Sequence, residues 1–162
     1  MHPNLLRLRE LHTSARNDLM RRFLEAAIAM HPADRLPPRD ALRPEAWPGL
    51  LPHLAFTKVE RQEDRVRFRL AVVGQVTGDT LGLKLNNRYM DEIEESEMHG
   101  INYSIEDRAS VVASGLAYYR YGPPRLKYKA DFARIELCHT PMADDGATVN
   151  HILSLTVFEG LT

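Results

Sequence analysis

The hydrophobic positions along this chain follow two different rhythms, and the change comes just before Leu54. From residue 4 to residue 31, apolar side chains recur at three- or four-residue steps: Leu5, Leu8, Leu11, Ala15, Leu19, Phe23, Ala27 and Met30. That spacing draws a single stripe down one long helix. Pro3 suits a first helical turn, where its missing N–H would be unpaired anyway, and Pro32 ends the run by biasing His31 away from helical dihedrals. Such a stripe must be covered. It either docks on the chain's own sheet or pairs with a second copy, and Leu8, Leu11, Ala15, Leu19 and Phe23 are the positions that would build that dimer.

A proline-rich connector, PADRLPPRDALRP, follows the helix. The next segment, PEAWPGLLPHL, leaves room for at most a short helical turn, with Trp47 packed on the core. From there the rhythm becomes two. LAFTKVE reads as one strand and RVRFRLAVV as the next, with Val66, Phe68, Leu70 and Val72 on one face and Arg65, Arg67 and Arg69 on the other. The RQED turn between them makes the pair an antiparallel hairpin. Residues 75–100 read as short helices and loops. Asn102 or Ser104 then caps a helix through IEDRASVVASGLA that turns Ile105, Ala109, Val112 and Leu116 inward. Three more strands, at 116–121, 131–141 and 149–159, are separated by Tyr-Gly-Pro-Pro and Ala-Asp-Asp-Gly-Ala turn signals. The order predicts an α+β fold: an antiparallel sheet of about five strands, helices on one face, and a flanking N-terminal helix. Residues 1–35 form the helix and connector, and 36–162 the domain proper.

Composition narrows the function. At 162 residues the chain is long enough to bury a real core as one domain, and 44% hydrophobic with 27% charged residues is ordinary for a soluble protein. Lys and Arg total 21 against 22 Asp and Glu, so no basic excess points to nucleic acid. The single cysteine, Cys138, excludes an internal disulfide and a multi-cysteine zinc site. No run of roughly 18 apolar residues offers a membrane span. The opening MHPNLLRLRE is charged too early for a signal peptide, which places the chain in the cytoplasm.

Three glycines after the second strand, Gly74, Gly78 and Gly82, raise the question of a phosphate loop. Their spacing is G-x-x-x-G-x-x-x-G rather than G-x-G-x-x-G, and no Gly-Lys-Ser/Thr follows. They read instead as structural: Gly74 ends a strand, and the other two bracket a helical turn. Taken in order, these pieces resemble a PAS domain, and more narrowly the small, often stand-alone PAS-type proteins of bacteria. The resemblance rests on Leu36-Pro37, the segment from Pro44 to Leu51, Phe68-Arg69-Leu70 running to Gly74, then Gly82, Pro141 and Asp145-Gly146. It implies a non-catalytic sensor or protein-interaction module in bacterial signal transduction, a homodimer acting through a signalling partner. No cofactor is expected, but a small ligand would lie between the sheet and the helical middle. Phe68, Leu70, Val72, Leu137, Leu153 and Leu155 would line that space, with Tyr89 or Tyr103 offering a polar tip.

Other candidate chemistry is weaker. Cys138 sits in a strand, outside the Asn-Cys-Arg-Phe-Leu-Gln context of flavin-adduct photosensors, and reads as a small, half-buried apolar residue. His139 and His151 fall on adjacent strands, but with His99 they form no HExxH or Cys/His spacing, so no metal site is assigned. DEIEESE lacks the central glycine of a calcium loop and reads as a solvated acidic face. Arg120, Arg125, Lys127 and Lys129 alternate with Tyr118, Tyr119, Tyr121 and Tyr128, as on a charged hairpin face. Ser110 and Ser114 lack a nucleophile elbow. The alternative is a small cone-shaped α+β enzyme drawing a proton-transfer site from Tyr89, Asp91, Tyr103, Asp131 and His139. The two strands ahead of the helical middle argue against it.

Overall fold

The structure, a computed structural model, describes residues 1–82, 84–127 and 132–161, without the side chain at 161. The N-terminal stripe forms two helices, α1 (Pro3–Ser14) and α2 (Asp18–Met30), where the sequence predicts one. The break has a tertiary cause. Glu136, on a strand far along the chain, accepts hydrogen bonds from the backbone N–H of Arg16 (2.7 Å) and of Asn17 (2.8 Å). A helix continuing through these residues would commit both N–H groups internally. Because the two helices fold back as a hairpin, both still present the stripe to the same surface.

The strands are β1 (Leu54–Gln62), β2 (Arg65–Val73), β3 (Arg88–Tyr89), β4 (Tyr118–Gly122), β5 (Phe132–Met142) and β6 (His151–Leu161). They pair antiparallel throughout in the order β3-β2-β1-β6-β5-β4. The first hairpin and the closing meander therefore meet at the centre, through β1 and β6. The sixth strand, β3, is only two residues long, too short for any period to reveal. Between β2 and β4 lie α3 (Gln75–Leu81), a 3₁₀ turn at Met90–Glu92, and α4 (Ile101–Ser114).

Helices cover both faces of the sheet, not one as expected. On one face, α1 and α2 bury Leu8, Phe23 and Leu24 with Trp47 against Cys138, Leu153 and Leu155. Phe23 and Trp47 meet as tilted rings 5.6 Å apart. On the other face, the Met90 turn and α4 pack Met90, Ile101 and Val111 against Val59, Phe68, Leu70 and Ile152. The stripe residues proposed for a dimer thus lie within the chain: Leu8, Leu11 and Phe23 are buried, and Ala15 and Leu19 pack half-buried beside them.

Two local departures matter for the site. The β1–β2 register shifts between Phe56, opposite Val72, and Thr57, opposite Leu70, so β2 carries one extra residue. A bulge of this kind flips the side-chain alternation beyond it. Val72 consequently points out, 57% exposed, and Val73 takes the inward position. Likewise α4 starts at Ile101, after Gly100 at φ +90°, so Ser104 lies inside the helix and Asn102 in its first turn, and neither caps it. The inward face is Ile101, Arg108 and Val111, with Ile105 and Val112 half-buried; Ala109 is exposed and Leu116 lies past the helix end. Two of the three glycines are structural, whereas Gly78 lies inside α3 rather than bracketing a turn, and a Cβ there would meet only Val73 at 3.9 Å. A Cβ at Gly74 would stand 2.3 Å from the Pro52 carbonyl oxygen, and Gly82, at φ +77°, closes α3 in the left-handed conformation.

Candidate functional site

A cavity of about 70 Å³ lies between the sheet and the α3–α4 layer. Its helix-side wall is apolar, built from Leu81, Leu85, Met90, Met98 and Ile101. The sheet contributes Leu70, Val73 and Leu137, then a polar strip of His139, Ser154 and Thr156, which Ser104 and Arg108 of α4 face. Apolar walls with a few convergent polar groups are the usual make-up of a small-molecule pocket.

His139 is the distinctive member. It is 2% exposed, its Nδ1 lies 2.5 Å from the Ser154 hydroxyl, and its Nε2 is buried with no hydrogen-bond partner. The ring stacks on Tyr118 at 6.0 Å. Burial holds His139 well below its ordinary pKa of 6.5, and the nearby Arg108 charge pushes the same way, so the ring is neutral. Arg108, also buried, donates from Nε to Thr57 Oγ1 (3.2 Å) and from Nη1 to Ser104. A smaller space of about 30 Å³ adjoins the cavity and shares Ser104, Leu126 and Leu137 with it. Arg120 lines this second space, with Nη1 buried and lacking a hydrogen-bond partner.

Of the residues expected to line a pocket, Leu70 and Leu137 do. Phe68 shares their face but sits in the packed cluster beside the cavity. Val72 is turned out by the bulge. Leu153 and Leu155 lie on the opposite face, under the α1–α2 hairpin. Tyr89 donates to Glu60 at 2.6 Å on the outer side, beneath the Arg67 guanidinium, and its bond to that carboxylate raises its own pKa. Tyr103 is 49% exposed beside the smaller space, under Arg125. Neither tyrosine supplies the polar tip; His139 and Ser154 do. The one signal for them in the sequence is a pair of hydroxyls, Ser154 and Thr156, set between the apolar Leu153, Leu155 and Val157.

The proton-transfer set does not converge among the described residues. Asp91 is held below the ordinary carboxylate range by its two bonds to Arg67 (2.9 and 3.0 Å), and it does not line the cavity that holds His139. Asp131, with Tyr128 and Lys129, lies outside the described residues. His139 and His151 do not approach each other: His139 is opposite Ser154, whereas His151 is opposite Met142 and stacks on Phe56. Among the described residues no group of three His, Cys, Asp or Glu could hold a metal ion. Cys138 is fully buried rather than half-buried, and burial pushes its thiol up to about 12, so it stays protonated.

The charged runs are also accounted for. Asp91 and Glu92 bind Arg67, Glu97 binds Arg88, and Glu95 accepts from the Gly100 N–H. On the tyrosine-rich hairpin, Tyr119 bonds Glu136, Tyr121 bonds Glu159, and Arg125 bonds Asp107 and Tyr118. No helix among the described residues is long and apolar enough to cross a membrane. No protein-family model matches the chain, and no curated protein matches it.

Proposed function

We propose that this chain is a PAS-type sensor or protein-interaction module without catalytic activity, working in bacterial signal transduction from the cytoplasm. The observation that carries the reading is the sheet order β3-β2-β1-β6-β5-β4, in which two strand groups flank a helical block and meet at the centre, with a cavity between that block and the sheet. A strand pair, a helical middle and a closing three-strand meander are the order on which the resemblance to a PAS domain rests, and such a domain holds its ligand between sheet and helices when it has one. The buried His139 and Ser154 give the cavity a polar end that plain core packing does not require. The module acts through a protein partner. A homodimer would have to use a surface other than the Leu8–Phe23 stripe, which the sheet already covers.

Native mass spectrometry of the freshly purified protein, beside its ultraviolet–visible spectrum, tests the reading. A co-purifying small molecule, or a stable complex with a signalling protein, is the expected result. A substrate turned over, with the loss of turnover in His139→Ala, would overturn the non-catalytic assignment.

A further inference from the structure

The polar end of the cavity is more specific than a generic ligand space. Resting on the sensor reading above, we infer that the cavity takes a small, mostly apolar monocarboxylate, with its tail among Leu85, Met90, Met98 and Ile101 and its carboxylate between His139 and Arg120.

Three features carry this. The first is size: a cavity of about 70 Å³ has room for roughly five to seven non-hydrogen atoms, counted at the volume one water needs. A short-chain acid fits, and a nucleotide or a haem does not. The second is a pair of buried, unpaired nitrogens on the same face of adjacent strands. His139 Nε2 has no partner, and neither does Arg120 Nη1. Their strands pair Tyr118 with His139 and Arg120 with Leu137, so the two side chains stand two positions apart across the ladder. Leaving such groups without hydrogen bonds in a folded protein is costly, and a ligand that supplies acceptors removes the cost.

The third feature is sign. Among the described residues lining the two spaces, Arg108, Arg120 and Arg125 carry positive charge and Asp107 negative, and Asp107 is engaged by Arg125 at 2.8 Å. When the Ser154 hydroxyl donates to His139 Nδ1, the neutral ring keeps its proton on Nε2, which then offers a donor. Donors and a net positive wall select an anionic acceptor, and one carboxylate supplies both lone-pair sets. An alkylammonium head would bring a third set of donors, and a like charge, to a wall whose unpaired nitrogens already donate.

The test is a titration of the full chain with three probes of one length, pentanoate, pentan-1-ol and pentylammonium, followed by histidine-ring and arginine side-chain ¹⁵N resonances. Pentanoate is expected to shift His139 Nε2 and Arg120 and to bind at least about tenfold more tightly than pentan-1-ol, the loss expected for one hydrogen bond to a charged group. Pentylammonium is expected to leave both resonances unmoved. In His139→Phe and in Arg120→Met the preference for pentanoate should collapse. The parent comparison stands even if a variant misfolds. Equal or tighter binding of pentan-1-ol, or an undiminished pentanoate affinity in both folded variants, overturns the carboxylate assignment while leaving the cavity a ligand site. If none of the three probes perturbs a cavity resonance, the ligand-sensing reading fails along with it.

Discussion

The two faces of β5 offer the most instructive comparison in this molecule. Towards the α1–α2 hairpin the strand presents Glu136 and Cys138; towards α4 it presents Leu137 and His139. Both faces bury an ionisable side chain. Glu136, at 0% exposure, is fully engaged: it accepts from the Arg16 and Asn17 N–H groups, the Asn17 side chain and the Tyr119 hydroxyl. His139 makes one hydrogen bond and leaves a nitrogen over. A saturated buried carboxylate serves the fold, since it fixes where one helix ends and the next begins. A half-satisfied imidazole beside a void leaves capacity for something else. One strand thus carries a saturated carboxylate on one face and an imidazole with an unpaired nitrogen on the other.

The comparison can be broken most severely at the packed face. Phe23→Asp should abolish cooperative folding, costing about 5 kcal/mol or more from lost packing and a buried charge. Thermal melts followed by circular dichroism would show it. A folded, soluble monomer would instead mean that the stripe belongs to a dimer interface. Next in size, Glu136→Ala leaves several donors unpaired and should cost about 3 to 4 kcal/mol, lowering the melting midpoint by about 10 °C. Urea denaturation with an unchanged midpoint would remove Glu136 from its anchoring role.

The smallest effect belongs to the cavity face. His139→Phe removes an unpaired nitrogen and fills space, so stability should stay within about 1 kcal/mol of the parent. Its signature is the pH profile. Because burial depresses the folded-state pKa of His139 below 6.5, the unfolded chain binds the extra proton first as pH falls through that value. Stability is therefore full above about pH 7 and is lost on acidification, by at most about 1.4 kcal/mol per pH unit from this ring. His31 and His151, also lowered chiefly by burial, add in the same direction. Denaturant melts from pH 7 down to 5 should slope less in His139→Phe than in the parent; parallel slopes would mean that another group controls acid loss.

Much of this architecture was legible where one side of an element is wet. The β1–β2 hairpin alternates Phe68 and Leu70 with Arg67 and Arg69, and both the pairing and the inward face follow from that pattern. The α2 stripe was equally clear. Legibility failed where helices cover both sides. In β6 the residues from His151 to Leu155 are all buried, so nothing in their burial tells which face is which, and Leu153 and Leu155 face the α1–α2 hairpin rather than the cavity. It failed too where a single long-range contact decides. Nothing near Ser14 announces that a carboxylate on β5 will end the helix there, and no local cue marks the bulge that exchanges Val72 for Val73.

The sheet order has a consequence for how the molecule comes into being. β6, sixth of the strands in chain order, lies between β1 and β5, and the α1–α2 hairpin that leads the chain packs on β5 and β6. The helices α1 and α2 emerge with Leu8, Met20 and Phe23 uncovered, and the strands that receive them are made only later. Pairings so distant in sequence close slowly, and an apolar stripe waiting in the open invites sticking to other chains. Until β6 enters between β1 and β5, that stripe lacks the surface that buries it.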